Sequence, residues 1–394
     1  MSYNFDKIVN RKDTDSTKWN NLKDNYGSED LLPMWIADMD FQSPTDVIDA
    51  LKKRVEHGVF GYPYIGTNVY DSIINWVRKR YHWDIKKEWI IFTPGVIVGL
   101  NIGIKEIGEK GDNVVVQTPV YPPFFRVVEN YGRELKVNPI KFDSGKFVMD
   151  FEDLEEKIDD KTKVMMLCNP HNPVGRAWTK EELNRLGEIC IKNDLTIISD
   201  EIHADLTLRG TKHIPIASIS EELSNRTITL ISPSKTFNIA GLFTSIAIVP
   251  NKELRERFTK SLEQMEIGHV SIFGSVGLEA AYSKGEEWLN EALLYIEDNI
   301  DFVIEYIKKN IPEIKVVKPE ATYLLWLDFR GLNKTADEVN EALLNVGKII
   351  LNDGRPYGEG GEGYFRLNVG CARSIVEDGL DRIKKSVESL KVKA

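Results

Sequence analysis

Between residues 89 and 249 the chain keeps returning to short, nearly uninterrupted apolar runs, and no other feature limits its fold so tightly. The runs are Trp89-Ile90-Ile91-Phe92, Asn113 to Gln117, Lys163 to Cys168, Leu195 to Ser199, Ile228 to Ile231 and Ser245 to Val249. A strand that is apolar on both faces must be covered on both faces. Helical patterns at 69–81, 96–108 and 180–193 supply the cover. The chain therefore reads as α/β, with a mostly parallel central sheet sandwiched by helices. In such a sheet the ligand sits beyond the carboxyl ends of the strands.

The remaining chain divides around this core. Residues 1–32 are polar and without clear periodicity, and read as an extended arm. Pro33 to Phe41 mixes apolar and acidic residues closely; a helical pattern runs from Pro44 to about His57, then a turn-rich stretch from Gly58 to Gly66. After Gly285 the pattern changes to a long helix (286–309), strands near 314–317, 323–328 and 365–369, and helices near 335–346 and 374–390. This is a smaller α+β unit. The expected division is an N-terminal segment (1–46), a large domain (47–285) and a small C-terminal domain (286–394). At 394 residues, more than one core is the default.

Composition excludes several function classes. A net charge of −10, with no basic run, argues against nucleic acid as a partner. The three cysteines, Cys168, Cys190 and Cys371, form no CxxC pair or metal-like cluster and suit a reducing compartment. No apolar stretch is long enough to span a bilayer and the first residues lack an apolar signal-type core, so a cytoplasmic location with no membrane partner is expected.

Candidate functional residues gather where the apolar runs end. Lys235, in Ser232-Pro233-Ser234-Lys235-Thr236, follows one run; alone it reads first as an exposed loop lysine, and the residues that end the other runs overturn that. Asp200 ends another, where a buried carboxylate needs a partner or a capping role. His203 lies three residues on, either facing the same place or satisfied in the core. Asn172 sits in Asn169-Pro170-His171-Asn172-Pro173, two Asn-Pro steps that stiffen the backbone; a merely rigid turn is the alternative, but a doubled turn of this composition points to Asn172 as an amide donor to a phenolate oxygen. Tyr121 follows a further run and is either a stacking ring or a core aromatic. Gly95-Val96-Ile97 opens a helix, with free amides suited to a phosphate. Arg366 lies on an apolar strand of the small unit, where a guanidinium wants a planar anion or a structural ion-pair partner.

Taken together these residues describe a pyridoxal 5'-phosphate site. Lys235 supplies the imine-forming amine, Asp200 keeps the ring nitrogen protonated, Asn172 binds the ring oxygen and Tyr121 stacks. Ser232, Ser234 and the Gly95 turn take the phosphate, and Arg366 takes an amino-acid α-carboxylate. No second cation is evident in the sequence for a distal carboxylate.

Over nearly its whole length the chain resembles fold-type I enzymes of aminotransferase class I/II, and within them the MalY/PatB group of cystathionine β-lyase-like C–S lyases. The stretches that carry this are 35–41, 59–62, 119–125, 169–176, 199–205, 234–241 and 366–374. His203 stands where related transaminases commonly have Tyr, and Phe243, Thr244 and Ser245 span the place of a phosphate-binding Arg. Pro122 replaces a second Tyr found in some members. The resemblance implies a lyase acting on L-cystathionine or another cysteine S-conjugate, with a class I/II aminotransferase as the alternative. It implies Ala37 and Asn172 at the substrate, and a homodimer in which Tyr62 reaches the neighbouring subunit's phosphate. Some members of the group also restrain a transcription activator, but no patch in this sequence identifies such a surface.

Overall fold

In the computed structural model, which describes residues 3–20 and 22–392, the apolar runs become adjacent strands buried on both sides. The strands of the large sheet are β1 (Ile90–Thr93), β2 (Asn113–Thr118), β3 (Glu134–Pro139), β4 (Thr162–Cys168), β5 (Thr196–Asp200), β6 (Thr227–Ile231) and β7 (Ser245–Ile248). Their order across the sheet is β1-β7-β6-β5-β4-β2-β3, and β7 alone runs antiparallel to its neighbours. The expected mostly parallel sheet is present.

Alternation inside the apolar runs splits the core in two. Val114, Val116, Val164 and Met166 face the helices Val96–Glu106, Pro123–Asn130 and Lys252–Gln264. Val115, Met165, Leu167 and Ile197 face the opposite layer, where Leu183, Leu186 and Ile189 of helix Lys180–Lys192 cover them. Both faces are dry, so neither can afford a polar position and the runs read as continuous. Helix Val96–Glu106 lies close because a Cβ at Gly99 would meet Leu230 Cδ2 at 2.6 Å. That close packing seats the helix N-terminus at the carboxyl edge of β1.

The small sheet comprises β8 (Lys315–Val316), β9 (Leu324–Asp328), β10 (Asn352–Asp353) and β11 (Tyr364–Asn368), ordered β8-β9-β11-β10 and antiparallel throughout. It is flanked by the helices Glu286–Asn310 and Arg373–Val392. Strand β3 and the helix Ile272–Lys284 fall outside the sequence reading. The first is a partly exposed edge strand that needs no apolar run. The second buries small residues such as Gly274, Ser275 and Gly277, which give no clear apolar stripe.

The N-terminal segment differs from a plain extended arm. Leu22–Tyr26 is a short helix, and Leu32–Pro33 pairs in parallel with Ile349–Ile350 beside the small sheet. Lys18 is only 2% exposed and contacts Asp40 at 2.7 Å, while Arg11 reaches Asp38 and Asp40, each at 2.7 Å. Periodicity carries no trace of this anchoring, because it is done by single side chains rather than by an element. Among the described residues no helix is long and apolar enough to cross a membrane, no His/Cys/Asp/Glu group could hold a metal, and all three cysteines are buried and free.

Candidate active site

The carboxyl ends of β1, β2, β4, β5 and β6 share one edge of the large sheet, and the sequence-selected residues emerge there. Asp200 is the last residue of β5, opposite Cys168 of β4. The amide of Asn169 bonds to Asp200 O at 2.9 Å, which brings the Asn-Pro turn alongside. The Asp200 carboxylate accepts one hydrogen bond, from the amide of Ile202 at 3.1 Å. Desolvation raises it to about 7, with the charge of Glu201 adding to the shift and the amide of Ile202 and Lys235 opposing it. A buried carboxylate with one donor has room for a cationic N–H partner.

Lys235 follows β6 on the short helix Pro233–Thr236, and two features fix that helix. Ser232 caps it by accepting from the amide of Ser234 at 3.1 Å. Thr236 Oγ1 donates to Asp205 at 2.9 Å, and Asp205 also accepts from Trp76 Nε1 (3.0 Å) and Tyr81 (2.6 Å). Lys235 Nζ donates to Ala37 O at 2.7 Å. Desolvation lowers its pKa; Arg366 adds to the fall, while Asp38 and Asp200 work against it. Lowered basicity suits an amine that must act as a nucleophile and base near neutral pH.

Arg366 arrives from the middle of β11 rather than from a strand end. Its Nη1 donates to Asn172 Oδ1 and its Nη2 to Trp35 O, both at 2.9 Å, while Nε has no partner. The side chain is 3% exposed, and no carboxylate pairs with it among the described residues, so the structural ion pair is absent. A buried guanidinium facing only neutral acceptors has its charge unpaired and can accept a planar anion. The Asn172 amide nitrogen has no partner among the described residues and remains free to donate.

The other expected residues sort into those the site gathers and those it does not. Tyr121 is half-buried beyond β2; burial raises its phenol, and the charges of Arg366 and Arg126 pull it back. His203 is buried near Tyr323, its Nδ1 unpaired; burial and the cations Lys235 and Arg366 drop it to about 3, so it is neutral. The amides of Val98 and Gly99 bond Gly95 O, leaving those of Val96 and Ile97 open at a helix start with no side-chain cap. Ser234 Oγ is also open. Ser232 is not: its hydroxyl donates to Thr244 O at 2.8 Å, so its proton points away from a phosphate. Tyr62 is fully exposed and touches nothing functional within its own chain. Arg176, quoted in the Asn-Pro stretch, binds Glu320 and Glu182 and fastens the turn instead of entering the site.

The stretch 35–41 and Ala37 were singled out from the sequence; what the structure adds is that the stretch is a strap, and which side chains hold it. Asn368, two places beyond Arg366, donates to Ile36 O (2.6 Å) and Asp38 O (2.7 Å). Asn238, three places beyond Lys235, holds Met39 and Phe41. The strap thus ties the Lys235 loop to the Arg366 strand. Sequence reasoning missed Arg126, whose charge reaches the Tyr121 phenol from an exposed place on the helix Pro123–Asn130.

The sequence profile described as aminotransferase class I and II matches residues 29–383. The chain belongs to that family. Cystathionine beta-lyase PatB of Bacillus subtilis (strain 168) is 44% identical over 385 residues, covering 98% of this chain and 100% of the relative. Protein MalY of Escherichia coli (strain K12) is 31% identical over 392 residues, covering 99% and 100%. Among solved structures, cystalysin from Treponema denticola, which contains a pyridoxal 5'-phosphate cofactor, has a TM-score of 0.95 at 36% identity and covers 99% of this chain and 100% of its own. The PLP-bound C–S lyase from Staphylococcus hominis has a TM-score of 0.92 at 32% identity, covering 98% of each chain.

The residues of this family member fit such a cofactor. Asp200 lacks the second donor that a pyridinium N–H supplies, and Asn172 has an open amide for a ring oxygen. Val96, Ile97 and Ser234 offer donors to a phosphate, and Lys235 has a desolvated amine.

Proposed function

We propose that the protein is a pyridoxal 5'-phosphate-dependent cysteine-S-conjugate β-lyase, with L-cystathionine the leading substrate. One observation carries the reading: the Lys235 amine and the Arg366 guanidinium meet the same strap two residues apart, at Ala37 O and Trp35 O. An α-amino acid held by its carboxylate on Arg366 would then present Cα toward Lys235. The choice of lyase over aminotransferase is supported by similarity to the relatives named as cystathionine β-lyases and C–S lyases.

In this reading Arg366 turns its Nη groups from Asn172 and Trp35 to the substrate carboxylate, a bidentate fit that sets the orientation of the Cα–H bond. Asp200 would keep a bound cofactor's ring nitrogen protonated, Asn172 would donate to its ring oxygen and Tyr121 would stack on it, while Val96, Ile97 and Ser234 would hold its phosphate. Bound there, the cofactor supplies an electron sink that stabilises negative charge at Cα. Lys235 removes the Cα proton, and the Cβ–S bond breaks with its electron pair leaving on sulfur. Lys235 or the Tyr121 phenol returns a proton to that sulfur. Elimination leaves 2-aminoacrylate, which once released tautomerises to an imine that water hydrolyses, so the products are thiol, ammonia and pyruvate.

Two further elements belong to the reading. Exposed Val59, Phe60, Tyr62 and Tyr64 form an apolar stretch whose natural cover is a second copy, so that Tyr62 completes a neighbouring phosphate site in a homodimer. Arg126, whose charge reaches the Tyr121 phenol, is the cation this reading assigns to the distal carboxylate of cystathionine. The test incubates the protein with L-cystathionine and simpler S-conjugates in the absence of any keto acid, measuring pyruvate and thiol together. Stoichiometric appearance of both supports the lyase. No pyruvate, with amino transfer once a keto acid is added, replaces it with the aminotransferase.

A further inference from the structure

The Ala37 carbonyl accepts two hydrogen bonds, one from Lys235 Nζ at 2.7 Å and one from the Tyr323 hydroxyl at 3.0 Å. Tyr323 is wholly buried, one residue before β9, and the amide of Val369 bonds its carbonyl at 2.9 Å. That bond ties the backbone of Tyr323 to the residue after β11, while its hydroxyl reaches the strap. The strap itself does not depend on that hydroxyl. Asn368 already holds the flanking carbonyls of Ile36 and Asp38, Asn238 holds Met39 and Phe41, and Arg11 binds Asp38. What the phenol adds is control over the single carbonyl that faces the lysine.

We infer that Tyr323 is a positioning residue for Lys235: it pins Ala37 O as the acceptor that orients the lysine amine whenever that amine is free of the cofactor. A neutral amine that donates one N–H to a fixed carbonyl has its rotation about Cε–Nζ set, and with it the direction of its lone pair. Such alignment governs both capture of the cofactor's carbonyl and removal of the Cα proton. The inference rests on the proposed reading of Lys235 as the reactive amine. The surroundings agree with it: burial and the charge of Asp38 raise the phenol's pKa, so Tyr323 stays a donor across the working pH range.

The Tyr323→Phe variant removes the oxygen alone and leaves the ring packed. Holoenzyme kcat is expected to fall about tenfold with KM changed by less than about twofold, the loss that modest misalignment of a reacting group produces. The isotope effect on kcat for substrate deuterated at Cα should rise. A second readout does not involve turnover: on adding pyridoxal 5'-phosphate to stripped protein, the visible band should form more slowly by a similar factor, with an unchanged melting temperature. Unchanged kcat and band-formation rate overturn the inference. So does a raised KM at constant kcat, which would make the phenol a substrate contact, and so does a loss that merely follows a lower melting temperature. Borohydride reduction of the wild type with peptide mapping separates the two levels. A label on a lysine other than Lys235 removes the proposed function and this inference together, whereas failure in the variant alone removes only the role of Tyr323.

Discussion

Replacing Asp200 with Asn is expected to stabilise the cofactor-free protein while disabling it. The buried carboxyl has one backbone donor and is lifted to about 7; in the unfolded chain it returns to about 3.9. A folded-state pKa above the unfolded one favours the folded protein at low pH. That advantage is complete below about 3.9 and is lost as pH rises toward 7. Linkage between those two values makes the wild-type carboxyl cost on the order of 1–2 kcal/mol at pH 5 and about 4 kcal/mol at pH 8. An Asn side chain can keep the bond from Ile202 without titrating. The stability difference between variant and wild type should therefore grow by about 2–3 kcal/mol from pH 5 to pH 8, and any constant offset from the exchange drops out. Urea unfolding of both stripped proteins across that range measures it. With cofactor bound, Asp200 gains its missing donor and the wild-type penalty should vanish. A flat difference between pH 5 and 8, or a variant that weakens as pH rises, would refute the argument that this carboxylate is held ready for a cationic partner.

Three further outcomes follow from the geometry. Arg366→Lys keeps the charge but loses the fork; forfeiting one charge-assisted bond of about 1.5–3 kcal/mol should cut kcat/KM for cystathionine about 10- to 150-fold, mostly through KM, in steady-state assays. Lys18→Met leaves Asp40 buried with fewer partners and should cost about 3–5 kcal/mol in urea unfolding, with partial recovery in the Lys18→Met/Asp40→Asn double variant. Tyr62→Phe should weaken cofactor retention without altering the fold, because the residue is exposed in its own chain; equal retention, measured by equilibrium dialysis, would remove Tyr62 from the phosphate site.

The chain's own pattern was enough for six of the seven strands of the large sheet, the partly exposed edge strand β3 excepted. Strands buried on both faces admit only apolar residues, so each advertises itself, and the residue ending each run is placed at the ligand edge by topology alone. That is why Asp200, Lys235, Asn172, Tyr121 and the Gly95 turn could be chosen together before any fold was known. Arg366 was legible for a related reason: a guanidinium inside an apolar strand has no cheap explanation.

Other features existed only once the chain had folded. Whether Arg366 met a carboxylate depended on which segment lay 2.9 Å away, and that segment comes from residues more than three hundred positions distant. Ser232 reads as a phosphate ligand until Thr244 O is found accepting its proton. The strap at 35–41, Tyr323 and the Arg11–Lys18–Asp40 cluster leave no periodic signal, since each works through single side chains meeting single polar groups across the fold. Local sequence records what an element must bury along its length. Which lone polar groups meet at the end of those elements is decided by packing, because hydrogen bonds of this kind are satisfied in space and not along the chain.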